Sequence, residues 1–372
     1  MNAALYVTHY ASEKRPLLRD LILPLVLELQ ARAGVTLAYA ERHWKFGPHV
    51  RVIVQGEDGA VQAALAYAQE QAEAYLREYP STGELDEAAY LARSEKLGTL
   101  ELEAGPYGPI RPDNSVLVGE APDRREVLGS PEAEAFRAQY FAALTPALLR
   151  TLQADAGTNT DRLIRLARIF VLYASTYPFG VYPGHISYRS HLEEFLFRQG
   201  GGERLRAAFA QKYAPIRDEV LRAVDGVASG ARDEVLSLWE TQFRRLWPVG
   251  RQLADAGLLA PDPTATMQRV AAGINPEAQA RWAFGPDYQF SEFHQELRKF
   301  NISETWYHVE MFSTYRTLMN FMYSALPLMD ISPTERYFVN YMVSEAMQEL
   351  HGQDWRGFFD QWWVQLREEG VA

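Results

Sequence analysis

Cysteine is absent from this sequence of 372 residues. A chain without cysteine forms no disulfide and offers no thiolate nucleophile, and it cannot ligate an iron–sulfur cluster or a cysteine-bound zinc ion. Several classes of redox and metal chemistry are therefore excluded before any pattern is considered. Any catalysis by side chains must rely on their oxygen and nitrogen groups.

Long hydrophobic runs are absent as well. The most apolar segment, LLRDLILPLVLELQ at residues 17–30, contains Arg19, Asp20, Pro24 and Glu28, and it is too short and too charged to span a bilayer. The N-terminal residues lack a basic region followed by a long apolar run, so we expect no signal peptide. These absences predict a cytoplasmic protein without a membrane partner.

Positive charge is in deficit, with 37 lysine and arginine residues against 48 acidic ones and a net charge of −11. A general nucleic-acid binder needs the opposite balance, so we expect no nucleic-acid partner, although a local basic patch is compatible with the count. Aromatic residues, by contrast, make up 12% of the chain. A large groove or a large core would each account for this abundance.

The N-terminal part of the chain shows a β-α-β-β-α pattern. Residues 3–10, 35–44 and 49–56 predict strands, and residues 16–33 and 58–79 predict helices. This order is the beginning of a ferredoxin-like sandwich, in which helices cover one face of a sheet.

Helical patterns dominate the later part of the chain. Residues 96–128 are rich in turn-forming residues and predict irregular, extended structure, whereas residues 190–199 and 305–326 are among several predicted helices. The predicted fold class is therefore α+β, a small ferredoxin-like unit with a large, mostly helical part. The predicted regions are 1–130 and 131–372, together forming one catalytic unit.

The segment ERHWKFGPHVRVIVQG, residues 41–56, concentrates cations and aromatic rings around a Gly-Pro turn. Strand alternation points His49 and Arg51 to one face of the sheet and Val50 and Val52 to the other. Because valine belongs on the core, we expect the His/Arg face to open to solvent or to a cleft. There the planar guanidinium would suit a carboxylate or an amide oxygen. The alternative is a solvated hairpin face that binds nothing.

A second polar segment, YPFGVYPGHISYRSHLEEFLF, spans residues 177–197. If residues 185–189 are extended, His185, Ser187 and Arg189 share one face. His185 and also His191 are acid–base candidates because histidine titrates near neutral pH. The alternative is that one of the two histidines only hydrogen-bonds a loop.

Ser190 and Glu193, three residues apart, fit a capping box at a helix start, so we assign Ser190 to capping rather than to nucleophilic attack. The segment also lacks the G-x-S-x-G elbow of serine hydrolases. H-E-x-x-H and G-x-x-x-x-G-K-[ST] motifs are missing from the sequence, so we expect neither a metal site nor a phosphate loop.

A third segment, residues 303–347, predicts a helix that carries polar groups among apolar ones. Tyr315 lies on one stripe of this helix, Glu310 lies on the neighbouring stripe, and Arg316 follows Tyr315. This pattern indicates a polar patch that faces a cavity, and the alternative is a buried, satisfied polar network. Farther on, the sequence SPTE at residues 332–335 predicts another helix start.

The order of these segments resembles a known family. RHWKFGPHVR, residues 42–51, resembles the R-x-W-x-x-G-P-H-hydrophobic-R segment of lantibiotic dehydratase C-terminal domains, which eliminate glutamate. The likeness is greater to their stand-alone relatives, the pyridine synthases of thiopeptide biosynthesis. SYRSHLE at residues 187–193 resembles the family segment S-x-R-S-H-x-E, and residues 315–347 resemble the helical C-terminal part.

The resemblance implies a reaction. Pyridine synthases join two dehydroalanines of one precursor peptide by a formal [4+2] cycloaddition. They then eliminate water and the leader peptide, which leaves a pyridine-centred macrocycle. The resemblance further implies that no metal or organic cofactor takes part, and that the partner is a modified precursor peptide with its leader. Whether the protein forms a homodimer is left open.

The resemblance also implies roles for individual residues. The arginine of the P-H-x-R segment contacts the expelled glutamyl group in elimination domains, and Arg51 occupies that position here. The implied catalytic residues are Arg51, His191, Tyr315 and Glu310, with His191 or Tyr315 as the proton donor. The implied substrate-binding residues are His43, Trp44, His49, Ser187, Tyr188, Arg189, Tyr307, His308 and Arg316.

Two other functions stay open. A stand-alone glutamate-elimination enzyme of the same fold would need several cations around a carboxylate, and the candidates are Arg42, Lys45, Arg51 and Arg189. A catalytically silent module would instead recruit a leader peptide by adding a strand to the sheet edge. The C-terminal segment YRTLMNFMY favours the synthase.

Overall fold

The computed structural model describes residues 1–155, 157–199, 202–259, 263–283, 288–299 and 309–368. By compactness the chain divides into two units. The sheet unit comprises Met1–Ala154, Asp255–Pro286 and Phe321–Asp330, and the helical unit comprises Asp155–Ala254, Asp287–Asn320 and Ile331–Ala372. The predicted division of the chain into regions 1–130 and 131–372 stays a prediction.

The elements up to the end of the first long helix all belong to the sheet unit. They are β1 (Asn2–Thr8), α1 (Arg15–Leu17), a π-helical turn (Leu18–Ile22), α2 (Leu23–Gln30), β2 (Val35–His43), β3 (His49–Gly56), α3 (Asp58–Glu78), α4 (Glu87–Glu101), β4 (Val116–Glu120), α5 (Arg125–Leu128) and α6 (Pro131–Ala154).

The rest of the chain is helical where the structure describes it. Its helices are α7 (Asn159–Ala174), α8 (Val181–Arg198), α9 (Gly202–Tyr213), a 3₁₀ turn (Ala214–Ile216), α10 (Arg217–Ala228), α11 (Glu234–Asp255), α12 (Pro263–Ala272), α13 (Pro276–Arg281), α14 (Glu292–Lys299), α15 (Val309–Ala325), a 3₁₀ turn (Leu326–Met329), α16 (Pro333–His351) and α17 (Trp355–Glu368).

The four strands form one antiparallel sheet in the order β2-β3-β1-β4. This is the strand order of a ferredoxin-like sandwich, with β4 supplying the strand that completes the predicted β-α-β-β-α pattern. The α+β fold class is therefore confirmed. The sheet unit also holds the long helix α6.

Both faces of strand β3 are buried. The side chains of Val50 and Val52 on one face and of His49 and Arg51 on the other are all buried. Helix α3 packs against β1, β3 and β4, and α6 contacts the face that carries Arg51. The expectation that the His/Arg face opens to solvent is wrong. Helix α6 covers this face, although its residues, 131–154, lie in the second, mostly helical region that the sequence predicts.

The helix predicted over residues 16–33 is interrupted and ends at Gln30. Within the π-helical turn the Leu23 N–H bonds to the Leu18 carbonyl, five residues back. Pro24 gives the physical reason, because in a regular α-helix its ring would clash with the carbonyl four residues earlier. The wider turn moves that carbonyl away.

The prediction of extended, turn-rich structure over residues 96–128 is wrong at both ends, where α4 continues to Glu101 and α5 spans Arg125–Leu128. Between them β4 is extended, as predicted, and forms the sheet edge. Gly98, a turn signal in the sequence, lies inside α4, where the Tyr107 side chain occupies the space that a Cβ would need. The glycine therefore permits close packing and does not end the helix.

The prediction that residues 185–189 are extended is also wrong, since α8 begins at Val181. Pro183 is tolerated because it lies in the first turn, where N–H groups have no partner within the helix. Ser190 is therefore inside the helix and caps nothing. The cap predicted at Ser332 is confirmed, because its hydroxyl and the Glu335 carboxylate make the reciprocal bonds of a capping box.

Gly184 allows α8 to approach the end of α7, because an added Cβ would overlap the main-chain carbonyl of Ala174. We expect Gly184→Ala to lower the free energy of unfolding by about 1–3 kcal/mol through overpacking. Gly226→Ala in α10 is the matched control, since its Cβ would find no atom closer than 3.8 Å. That change should stabilise by about 0.5–1 kcal/mol. Urea unfolding of both variants measures the difference, and equal stabilities would contradict the close approach.

Candidate active site

A row of polar side chains crosses the sheet on the face that α6 covers. Glu41 on β2 is paired in register with Arg51 on β3, and Arg51 is paired with Tyr6 on β1. Directly opposite residues of antiparallel strands present their side chains on the same face. The Arg51 Nη1 and Glu41 Oε2 atoms lie 3.8 Å apart, and both side chains are buried.

Helix α6 adds a second cation to this row. The Arg137 guanidinium donates to the Glu41 carboxylate and lies 4.4 Å above the Phe141 ring. Burial alone would raise the pKa of Glu41, but Arg137, Arg124 and Arg51 outweigh it and lower the pKa below its ordinary value. One buried carboxylate thus holds guanidiniums from both the sheet and the helix.

His49 connects Arg51 to the hairpin turn. Its Nδ1 lies 2.8 Å from the Gly47 carbonyl oxygen and its Nε2 lies 3.2 Å from Arg51 Nε. Because a carbonyl oxygen only accepts, Nδ1 carries the hydrogen, and Nε2 accepts from Arg51. Burial and the Arg51 charge lower the pKa of His49 to about 3. The ring is therefore neutral at pH 7 and orients the guanidinium.

The aromatic part of the hairpin is fixed by acids at the end of α4. The His43 ring stacks on Trp44 with centroids 5.2 Å apart, and the Trp44 indole N–H donates to Glu101 at 2.8 Å. Lys45 Nζ donates to Glu103 at 3.1 Å. Burial, followed by the Arg51 charge, holds the pKa of His43 well below its ordinary value.

Arg111 was missed by sequence reasoning. Its guanidinium lies 4.4 Å above the Tyr6 ring, to which Arg51 is also close at 5.9 Å. One Arg111 nitrogen, Nη1, is buried without a hydrogen-bond partner among the described residues. The sequence carried only a weak signal, a single arginine between prolines in a turn. The sheet unit thus holds a donor available for a carbonyl or carboxylate oxygen.

The helical unit contains a cleft of about 110 Å³ that is open to solvent. Its lining residues are Tyr177, Pro183, Ile186, Ser187, Ser190, His191, Leu297, Phe312, Arg316, Met319, Phe358 and Trp362. Residues of α8 and α15 contribute at helical spacing, three or four apart, so each helix turns one stripe toward the cleft. Three predicted site residues, Ser187, His191 and Arg316, meet here.

His191 is neutral at physiological pH. Burial, together with the nearby charges of Arg336 and His294, lowers the pKa of His191 to about 3. A neutral imidazole can accept or donate a hydrogen bond, but it is not an imidazolium acid. The proton-donor role of His191 stays a prediction, and the electrostatics favour a hydrogen-bonding role.

Tyr315 lies beneath the cleft rather than in its lining. Its hydroxyl donates to the Gly184 carbonyl at 2.8 Å, and its main-chain carbonyl accepts from Tyr173 at 3.0 Å. Its ring stacks on Tyr173 and contacts Tyr177, a lining residue, with centroids 4.7 Å apart. Its role as proton donor stays a prediction, and the geometry gives it a clear part in positioning α8.

The remaining predicted residues lie in other surroundings. Arg189 is paired with Glu193 at 2.6 Å and with Glu345 at 2.7 Å. Tyr188 is fully buried and donates to the Phe170 carbonyl. Glu310 is half-buried in the first turn of α15. Tyr307 and His308 lie outside the described residues.

His294 is a second residue that sequence reasoning missed. It lies on α14, and its Nε2 is 2.9 Å from the hydroxyl of Ser190, a residue of the cleft lining. Ser291 three residues earlier bonds its main-chain N–H, and this S-x-x-H spacing at a helix start was the available signal. In the described part of the chain, no three His, Asp or Glu side chains are grouped as metal ligands. No helix in that part is long and apolar enough to cross a membrane.

The fold and these residues define a member of one family. The chain matches the family described as lantibiotic biosynthesis dehydratase C-term over residues 3–347, and it belongs to that family. Its structure is similar to the pyridine synthase TbtD from thiomuracin biosynthesis, with a TM-score of 0.73 and 25% identity over 94% of this chain and 99% of that one.

A second similar structure is TsrL, with a TM-score of 0.61 and 18% identity over 95% of this chain and 96% of that one. This likeness is one of fold. A comparison with curated proteins gives no match.

Acid should weaken the sheet unit through His49. A histidine with a pKa near 6.5 when unfolded and about 3 when folded stabilises the protein fully above pH 6.5 and loses this contribution as pH falls. From pH 7 to pH 5 the loss is about 2 kcal/mol. His49→Asn keeps a donor for the Gly47 carbonyl but cannot titrate. Between pH 7 and pH 5 the unfolding free energy of this variant should therefore fall by about 2 kcal/mol less than that of the wild-type protein. Urea unfolding at both pH values tests this, and identical losses would refute it.

The buried Arg137–Glu41 pair should matter far more than an exposed one. Arg137→Met leaves a buried carboxylate with its closest cation removed, and we expect a cost of about 3–5 kcal/mol in unfolding free energy. Arg125→Met is the matched control, because Arg125 is 58% exposed where it pairs with Asp123. Its cost should stay below about 1 kcal/mol. Similar costs in the two variants would show that the buried pair is not a stabilising contact.

Proposed function

We propose that this protein matures a thiopeptide precursor by joining two dehydroalanines in a formal [4+2] cycloaddition and then eliminating water and the leader peptide. The observation that carries the proposal is the similarity to the pyridine synthase TbtD along nearly the whole of both chains. The match to the dehydratase C-terminal family supports related chemistry on a precursor peptide.

Positioning supplies much of the rate in such a reaction. One peptide must fold back so that a diene, the imidic-acid tautomer beside one dehydroalanine, meets the alkene of another. Holding two reacting groups together is worth effective molarities of up to about 10⁵–10⁸ M in favourable cases. The cleft of the helical unit is lined mainly by apolar and aromatic side chains with a few polar groups among them, which is the usual character of a binding site.

Hydrogen-bond donors would then stabilise the tautomer and the leaving groups. The proposed groups are His191, Ser187 and Arg316 in the lining of the cleft, and Glu310 and Tyr315 on α15. The catalytic role that the resemblance implies for Arg51 stays a separate proposal, which concerns the sheet unit. The other proposed peptide-binding residues are those that the resemblance implies: His43, Trp44, His49, Tyr188, Arg189, Tyr307 and His308.

A glutamate-elimination enzyme is the second candidate, favoured by the family description. It would need several available cations, and the candidates are engaged in the structure. Arg42 is paired with Asp330, Lys45 with Glu103, and Arg189 with Glu193 and Glu345. The silent binding module remains the third candidate. A leader-bearing precursor peptide as partner and a cytoplasmic location belong to the proposal, and a homodimer stays open.

Mass spectrometry of a dehydroalanine-containing precursor peptide, incubated with the purified protein without added cofactor, distinguishes these functions. We expect a product that has lost water and a leader released as a C-terminal amide. A matched peptide with one dehydroalanine replaced by alanine should stay unchanged, because one reacting partner is missing. Loss of glutamate from a glutamylated peptide, with the dehydroalanine peptide unchanged, would instead establish the elimination enzyme. Binding of both peptides without reaction would leave the binding module.

A further inference from the structure

Ser190 does not have the capping role that the sequence predicts for it. The serine is in the middle of α8, so it caps no helix, and its half-buried hydroxyl contributes to the cleft lining. The hydroxyl lies 2.9 Å from His294 Nε2 on α14. A hydroxyl held by an imidazole at the wall of a cleft is a recurrent arrangement for proton transfer.

The contacts of His294 permit a tautomer in which Nε2 carries the hydrogen. The Ser291 hydroxyl accepts from the His294 main-chain N–H at 3.3 Å and lies 2.7 Å from His294 Nδ1, to which it can donate its own hydrogen. Glu194 Oε2 is 3.9 Å from the same Nδ1, too far for a hydrogen bond. In this tautomer Nε2 donates to Ser190, and the hydroxyl hydrogen of Ser190 is free to point into the cleft.

We propose that Ser190 is a proton-transfer residue of the cycloaddition site and that His294 is the residue that positions and polarises its hydroxyl. The inference rests on the proposed function and adds to it a group that can both give and take a proton. It also accounts for a cleft in which His191 remains neutral and the Tyr315 hydroxyl is bonded to a main-chain carbonyl.

The proton balance is simplest in the loss of water. The ring C–O bond breaks with its electron pair on oxygen, and that oxygen takes the Ser190 hydroxyl proton and leaves as water. A neighbouring ring carbon loses a proton, its C–H electron pair becomes the new C=C bond, and this proton restores the hydroxyl. While Ser190 Oγ carries negative charge, the Nε2–H of His294 stabilises it.

Charged groups around His294 affect its protonation. Glu194 and Glu193 favour its protonated form, whereas burial and Arg198 oppose it, and burial is the largest effect, so its pKa is lowered. His191 is the other histidine near it, and its own pKa is about 3. A second proton at Nδ1 would leave the Nε2–H that donates to Ser190 in place, so the titration of His294 should not by itself abolish activity.

The test compares kcat and KM for the precursor peptide in wild type and three variants. We expect Ser190→Ala to lower kcat by about 10²–10⁴-fold with KM changed less than threefold, because proton transfer acts in the transition state. Ser190→Thr keeps a hydroxyl, so its kcat should be at least tenfold higher than that of Ser190→Ala. Ser237→Ala, an exposed serine on helix α11 of the same unit, is the control and should match wild type.

His294→Leu and His294→Gln test the positioning role. Leucine cannot donate to Ser190, whereas the glutamine amide nitrogen can, so His294→Leu should lower kcat by about 10-fold or more with KM changed less than threefold, and His294→Gln should restore part of that loss. If wild type is active and Ser190→Ala retains kcat within twofold, the inference is wrong while the proposed function stands. A His294→Leu variant that retains kcat within twofold also overturns it. If wild type makes no cyclic product, the proposed function fails, and the inference fails with it.

Discussion

The sheet unit depends on one buried carboxylate, Glu41. Strand pairing sets it opposite Arg51, and the packing of α6 brings Arg137 to its other oxygen. Removing these charges from water is costly unless each finds a partner. Their arrangement therefore fixes the register of β2 against β3 and the place of α6 in a single contact, and His49 and Tyr6 align Arg51 from the remaining sides.

The helical unit is organised differently, by main-chain contacts of tyrosine hydroxyls. Tyr315 donates to the Gly184 carbonyl, Tyr188 to the Phe170 carbonyl and Tyr173 to the Tyr315 carbonyl. Each hydroxyl satisfies a carbonyl of another helix or of another part of the chain while its ring fills the core. Polar groups are thereby buried at little cost, and the abundance of aromatic residues in the sequence reflects this core as well as the cleft.

Sequence patterns predicted the structure correctly where neighbouring residues alone determine it. Alternating valines gave β3, and a serine with a glutamate three residues later gave the start of α16. The extended structure expected at residues 96–101 and 185–189 is helical instead, and Gly98 and Pro183 are tolerated there for a tertiary or positional reason that neighbouring residues do not encode. Likewise, Ser187, His191 and Arg316 could be proposed from sequence, whereas the signals for Arg111 and His294 were too weak to identify them. Their partners lie roughly 100 residues away along the chain, where no local pattern reaches.

Gly184 has a consequence for how this cleft could diversify among related proteins. Its carbonyl receives the Tyr315 hydroxyl, and its missing side chain admits the end of α7. The two walls formed by α8 and α15 are thus set at a fixed separation by a contact beneath them. Changes in the outer lining, at residues such as Phe358 and Trp362, can therefore alter the shape of the cleft without changing that spacing.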